Sequence, residues 1–207
     1  MAGQGKDVLH VWEKWKEEEH VWPASRIFAD YLISHPTSLP NNAKVVEVGA
    51  GTGVLSMGIA MGVGGVGSVT ATDGSRDALK NLRKNVVQNG LSSKIDVKHL
   101  EWRDDLPSWM GGVDVIVGSD VVYGDTTHST SYFFLSRMVA EVLGRGQGKQ
   151  EEGMGMSAAK AMFMLQVRGK DYEASSVNKF VEDLERRGLH VEFLEIPEGV
   201  DNMQEKM

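Results

Sequence analysis

From residue 44 onward, short apolar runs and segments of helical spacing replace one another in turn, and few architectures accept that order. AKVVEVG (43–49) reads as a buried strand and GVLSMGIAMG (53–62) as a helix. SVTATD (68–73) is the next strand, followed by a helix over 75–89 with Ser75 as its cap. Leu79, Leu82 and Val86 face inward on that helix and Gly90 stops it. KIDVKHLEW (94–102) alternates as a third strand, and VDVIVGSD (113–120) is a fourth, apolar almost throughout. The spacing of Tyr132, Leu135, Val139 and Val142 predicts a helix over 127–143, with a loop from 144 to 157. AMFMLQVRG (161–169) is a strand, Val177, Phe180, Val181 and Leu184 mark a helix ended by Gly188, and HVEFLEI (190–196) reads as a last strand. Strands alternating with helices predict an α/β fold, a doubly wound and mostly parallel sheet covered on both faces. Ligands of such sheets lie in the crevice at the carboxyl ends of the strands.

Ahead of this alternation, Val8, Val11, Trp12 and Trp15 fall at helical spacing. A second helix begins at Pro23 and carries Ile27, Phe28, Tyr31 and Leu32. Residues 1–43 are therefore expected to form an N-terminal helical segment packed on a core of 44–207, a single domain overall. The 207 residues contain no cysteine, which removes disulfides and thiolate metal sites. The six histidines are scattered without ligand spacing, so no metal site is expected. No run of eighteen apolar residues suggests a membrane span, and the N-terminus lacks the apolar stretch of a secretory signal. The chain is read as cytoplasmic, with a nuclear location as the alternative. A formal net charge of −7 argues against binding nucleic acid by broad phosphate neutralisation and suits a cationic ligand or a basic partner.

The turn after the first strand carries the chemistry. Gly49, Gly51 and Gly53 stand at alternate positions after Glu47, giving E-x-G-x-G-x-G. Glycine weakens strand and helix alike, so three of them imply a backbone that must approach something closely. The dinucleotide fingerprint G-x-G-x-x-G would need its third glycine at 54, where Val54 stands. Twenty residues past Gly53, Asp73 ends the second strand, where a carboxylate can accept hydrogen bonds from ribose hydroxyls. Trp102 follows the third strand, where a ring can flank a flat base. Three successive strand ends thus converge on a ligand with a ribose and a base.

With these features the chain resembles the class I, seven-β-strand S-adenosylmethionine-dependent methyltransferases. More narrowly it is similar to the protein-lysine methyltransferases called methyltransferase family 16. VWPAS (21–25) resembles that family's W-P-A element, LEW (100–102) its L-x-W element, and SDVVY (119–123) its D-x-x-Y signature. The resemblance covers roughly residues 20 to 196. It implies S-adenosyl-L-methionine as cofactor, with Gly49, Ala50 and Gly51 under its methionine part. Glu47 and Gly53, the ends of the glycine motif, belong to the same cofactor site. The resemblance further assigns Asp73 to the ribose, Trp102 to the adenine, and Trp22 and Ser119 to other cofactor contacts. Asp120 and Tyr123 match residues lining the entrance for a substrate lysine and are the candidate catalytic pair.

The implied function is methylation of a lysine side-chain amine in a protein substrate, by a monomer that engages neither nucleic acid nor membrane. Two alternatives stand beside it: methylation of a small amine or metabolite, and a non-catalytic protein of this fold that binds a partner. The family's final antiparallel strand is expected to be missing, because the closing PEGVDNMQEKM is short and polar.

Overall fold

Among the described residues, five strands form one parallel sheet: β1 (Lys44–Glu47), β2 (Ser68–Asp73), β3 (Ile95–His99), β4 (Val115–Ser119) and β5 (Lys160–Met164). Five helices accompany them: α1 (Pro23–Ser34), α2 (Val54–Gly62), α3 (Arg76–Gln88), α4 (Ser131–Gln147) and α5 (Ser176–Arg186). The computed structural model describes residues 21–122, 131–147, 159–166 and 175–194. The reading of Val8, Val11, Trp12 and Trp15 as a helix therefore lies outside the described residues.

The strand order is β3-β2-β1-β4-β5. The chain builds outward from β1 through β2 to β3, then returns to β1's other side for β4 and β5. The reversal falls between β1 and β4, and a doubly wound sheet opens its crevice at that switch point. Alternation along β1 sends side chains to two cores. Val45 joins Leu32, Leu55, Ile59 and Leu82 on the face covered by α1, α2 and α3. Val46 joins Ile116, Leu135, Val139 and Phe180 on the face covered by α4 and α5. The expected α/β doubly wound architecture is the one observed.

Helix α1 reaches its place through small residues. A Cβ on Gly58 would stand 2.7 Å from Ala29 Cβ, and one on Gly62 2.6 Å from Ile33 Cδ1. These two contacts, one turn apart on each helix, set α1 and α2 running in the same direction. The Trp22 end of α1 accordingly lies toward the end of α2 that follows the glycine turn.

Two expectations are corrected. Helix α4 continues to Gln147, through residues read as loop. Propagating a formed helix costs little per residue, so Gly144 does not end it. The predicted strand over HVEFLEI is not formed: residues 190–194 are irregular, with Phe193 72% and Leu194 60% exposed. Residues 195 and 196 lie outside the described residues. A strand exists only by pairing, and among the described residues β5 pairs with β4 alone.

Candidate active site

The glycine turn is built by backbone geometry. Gly49, Gly51 and Gly53 have φ of 63°, 52° and 84°, a region that costs an ordinary L-residue roughly 1–2 kcal/mol. Space adds a second constraint, since a Cβ on Gly53 would stand 2.1 Å from Leu82 Cδ1 and one on Gly49 2.7 Å from Val121 Cγ1. Polar groups then hold the turn from three sides. Ala50 N donates to Thr72 O at 2.8 Å, Gly51 N to Asp73 Oδ2 at 2.9 Å, and Asn85 Nδ2 to Thr52 O at 2.9 Å.

Asp73 ends β2 as expected, and both of its carboxylate oxygens already have backbone partners. Oδ2 accepts from Gly51 N and Oδ1 from Ser75 N at 2.8 Å. Trp102, half-buried after β3, brings Cζ2 within 3.4 Å of the Cβ position of Gly49. The ring therefore stands directly beside the glycine turn, as the sequence anticipates. Its neighbour Glu101 places its carboxylate 3.5 Å from the Cβ position of Gly74, next to Asp73.

On the other side of β1, β4 ends in Ser119, which pairs with Met164 of β5. Asp120 follows, 7% exposed and in the left-handed region at φ 52°. Its backbone N donates to Met164 O at 2.8 Å, so β5 holds the residue in that conformation. A strained, buried carboxylate at a strand's carboxyl end is the kind of outlier that points to a site. Val121, next in the chain, touches the Gly49 position. Tyr123 lies outside the described residues. Trp22 starts α1, 37% exposed, with its carbonyl accepting from Ser25 N and Ser25 Oγ.

Glu47 is turned inward. Its side chain is wholly buried, and Oε2 accepts from Ser56 N at 2.9 Å and from Ser56 Oγ. Oε1 is buried with no hydrogen-bond partner among the described residues. Burial raises the carboxyl from its ordinary 4.5 to about 8, although the Ser56 bonds pull the other way. Glu47 is thus a neutral acid under the turn near pH 7.

Thr72, Asn85 and Ser56 were not singled out from sequence, though a signal existed. Each is a polar residue on a face that packs against the core, where an unpaired hydroxyl or amide is costly.

A parallel sheet with its switch point at β1 and β4, a glycine turn, and an acid and an aromatic at the next two strand ends define a nucleotide-type crevice of the Rossmann-like methyltransferase class. A model of the family described as lysine methyltransferase matches residues 4–143, more than half of the 207-residue chain. The chain belongs to this family. It is 33% identical to protein-lysine N-methyltransferase EFM3 of Chaetomium thermophilum, over 49% of this chain and 32% of that protein. It is 33% identical to protein N-lysine methyltransferase METTL21A of Danio rerio, over 56% of this chain and 53% of that protein. With EEF1A lysine methyltransferase 3 of Mus musculus the identity is 35%, over 52% and 44% respectively. The matched region spans about a third to a half of the length of these relatives.

S-adenosylmethionine is the cofactor that family and fold imply, and the residues fit it. The left-handed glycines turn the backbone sharply at the end of β1, Asp73 holds that turn through Gly51 N at the end of β2, and Trp102 sets a ring 3.4 Å from the Cβ position of Gly49.

Proposed function

We propose that the chain transfers a methyl group from S-adenosyl-L-methionine to the side-chain amine of a lysine in a protein substrate. The observation that carries this reading is Asp120, a buried carboxylate held left-handed beside the glycine turn. The names of the relatives support the acceptor: each is called a lysine methyltransferase, and one names EEF1A. A monomer acting in the cytoplasm or nucleus belongs to the same proposal.

When bound, the cofactor supplies an electrophilic methyl on a sulfonium that departs as a neutral thioether. The chain has to align the acceptor and exclude water. Lysine ordinarily holds its proton to a pKa of about 10.4. The buried side chains of Val48, Val121 and Val122 form apolar surroundings that disfavour an ammonium. Asp120 draws the ammonium in and orients it, and the amine gives up its proton, to Asp120 or to water, before its lone pair can attack. Tyr123, which matches the D-x-x-Y signature and lies outside the described residues, is assigned the supporting hydroxyl and aromatic ring for the cation. Trp22, Gly49, Ala50, Gly51, Gly53, Asp73, Trp102 and Ser119 make up the cofactor side of the proposal, with Glu47 wholly buried and supporting the turn through Ser56 rather than touching the cofactor.

The test is to react the protein with labelled S-adenosylmethionine and candidate proteins, and to locate the methyl by mass spectrometry. Methyl on lysine Nζ is expected. Methyl on arginine, a carboxylate or a nucleobase with lysines untouched overturns the acceptor while leaving the cofactor site standing. Asp120→Asn keeps the shape and removes the charge, so transfer should fall at least about tenfold, about 1.4 kcal/mol of barrier. Affinity for S-adenosylhomocysteine should change less, because the glycine turn and Ser119 remain.

A further inference from the structure

The turn that carries Trp102 is tied to α4 by one side chain. Asp104 N donates to Glu101 O at 3.2 Å, closing a turn over residues 101–104. Three successive carbonyls of this segment converge on Arg137 Nη2, from Trp102 at 3.3 Å, Arg103 at 2.8 Å and Asp104 at 3.2 Å. One nitrogen with two hydrogens is thus shared among three acceptors. The guanidinium lies 5.9 Å from the centre of the Phe134 ring. Its Nε is buried with no acceptor among the described residues.

A half-buried cation with an unsatisfied N–H is a costly way to fill space beside α4. An aliphatic residue would pack there without that cost. The carbonyls of Trp102, Arg103 and Asp104 lie outside helix and strand, and a guanidinium is the side chain best able to gather several of them. Helix α4 is itself rigidly seated, with Leu135, Met138, Val139 and Val142 buried around Arg137. The bond therefore transfers the position of a fixed helix to a loop whose own ties are the Asp104 N to Glu101 O hydrogen bond and an Arg103–Glu101 ion pair at 3.7 Å. On that loop stands the ring that touches Gly49.

We propose that Arg137 is a positioning residue of the cofactor crevice, pinning the 102–104 turn so that Trp102 stays against Gly49 as the wall for the base. The proposal rests on the S-adenosylmethionine reading for the ligand, while the placing of Trp102 by Arg137 is independent of it. Arg137 touches neither the base nor the acceptor and acts through Trp102.

The experiment uses the full chain with 5-fluorotryptophan incorporated, the Trp102 resonance being assigned by its loss in Trp102→Phe. In Arg137→Gln the Trp102 resonance should shift or broaden while those of Trp22 and Trp109 stay in place. S-adenosylhomocysteine should bind that variant about tenfold more weakly by calorimetry. In a Trp102→Ala background the same substitution should cost nothing further, because coupled residues are non-additive. Arg137→Lys keeps the charge and reach for one carbonyl, so it should fall between the two, and it serves if Arg137→Gln does not fold. An unmoved Trp102 resonance in both variants, or a full loss of affinity that persists without Trp102, overturns the proposal. If the unaltered chain does not bind S-adenosylhomocysteine, the cofactor reading fails, and the resonance alone still decides whether Arg137 places Trp102.

Discussion

Asp73 has two tasks. It is the expected ribose acceptor, and it also bridges Gly51 N to Ser75 N, fixing the glycine turn to the start of α3. Asp73→Ala should weaken S-adenosylhomocysteine binding by about 1.5–3 kcal/mol, the scale for hydrogen bonds to a charged group. Calorimetry with unchanged affinity would remove Asp73 from the site. Glu47 makes a separate prediction about pH. Its proton is held more tightly in the folded chain than in the unfolded one, with about 8 against 4.5. The stability this confers is fully present below about 4.5 and is lost as the pH rises to about 8. The steepest loss for one proton is about 1.4 kcal/mol per pH unit. Glu47→Gln cannot titrate, so the stability difference between it and the parent should change across that window and level off above it. Denaturant titrations at several pH values measure this, and parallel curves throughout would place Glu47 in a wetter setting.

At the scale of elements, β1 and β4 were legible as short apolar runs and β3 by its alternation, while β2 and β5 fell in step with the strand–helix order. Ser75 was legible as a cap, and its Oγ accepts from Ala78 N at 3.3 Å. The glycine turn, Asp73 and Trp102 could be read as converging because strand ends in a parallel sheet share one rim. The holding contacts could not, since Arg137 and Asn85 act from helices whose rotation and height only packing decides. The misread strand at 190–194 shows the complementary limit. HVEFLEI has the right alternation, but alternation states a preference and a neighbour makes a strand. Amides of residues 190–194 should therefore exchange quickly, while those of β1 and β4, paired on both sides, exchange slowly. Comparable protection in the three segments would mean that 190–194 finds a pairing partner in solution.

For the whole molecule, binding in a crevice assembled from β1, β2, β3 and β4 must stabilise the entire fold by linkage. At a hundred times its dissociation constant, S-adenosylhomocysteine should add about 2.7 kcal/mol and raise the melting midpoint by about 5–10 °C. NAD at the same concentration should leave it in place, since Val54 stands where the dinucleotide fingerprint has glycine. A shift with NAD alone would reverse the cofactor assignment. The two crowded glycines of the turn after β1 carry a consequence on an evolutionary timescale. Gly90, Gly112 and Gly188 also have positive φ but open space around them, so asparagine is a tolerable replacement there. Gly49 and Gly53 face Val121 and Leu82 so closely that an added side chain would have to displace them, on top of the positive-φ strain. Selection for folding alone would keep both as glycine, even in a lineage that had stopped transferring methyl groups. In this chain the glycine signature is a record of descent that would outlive catalysis.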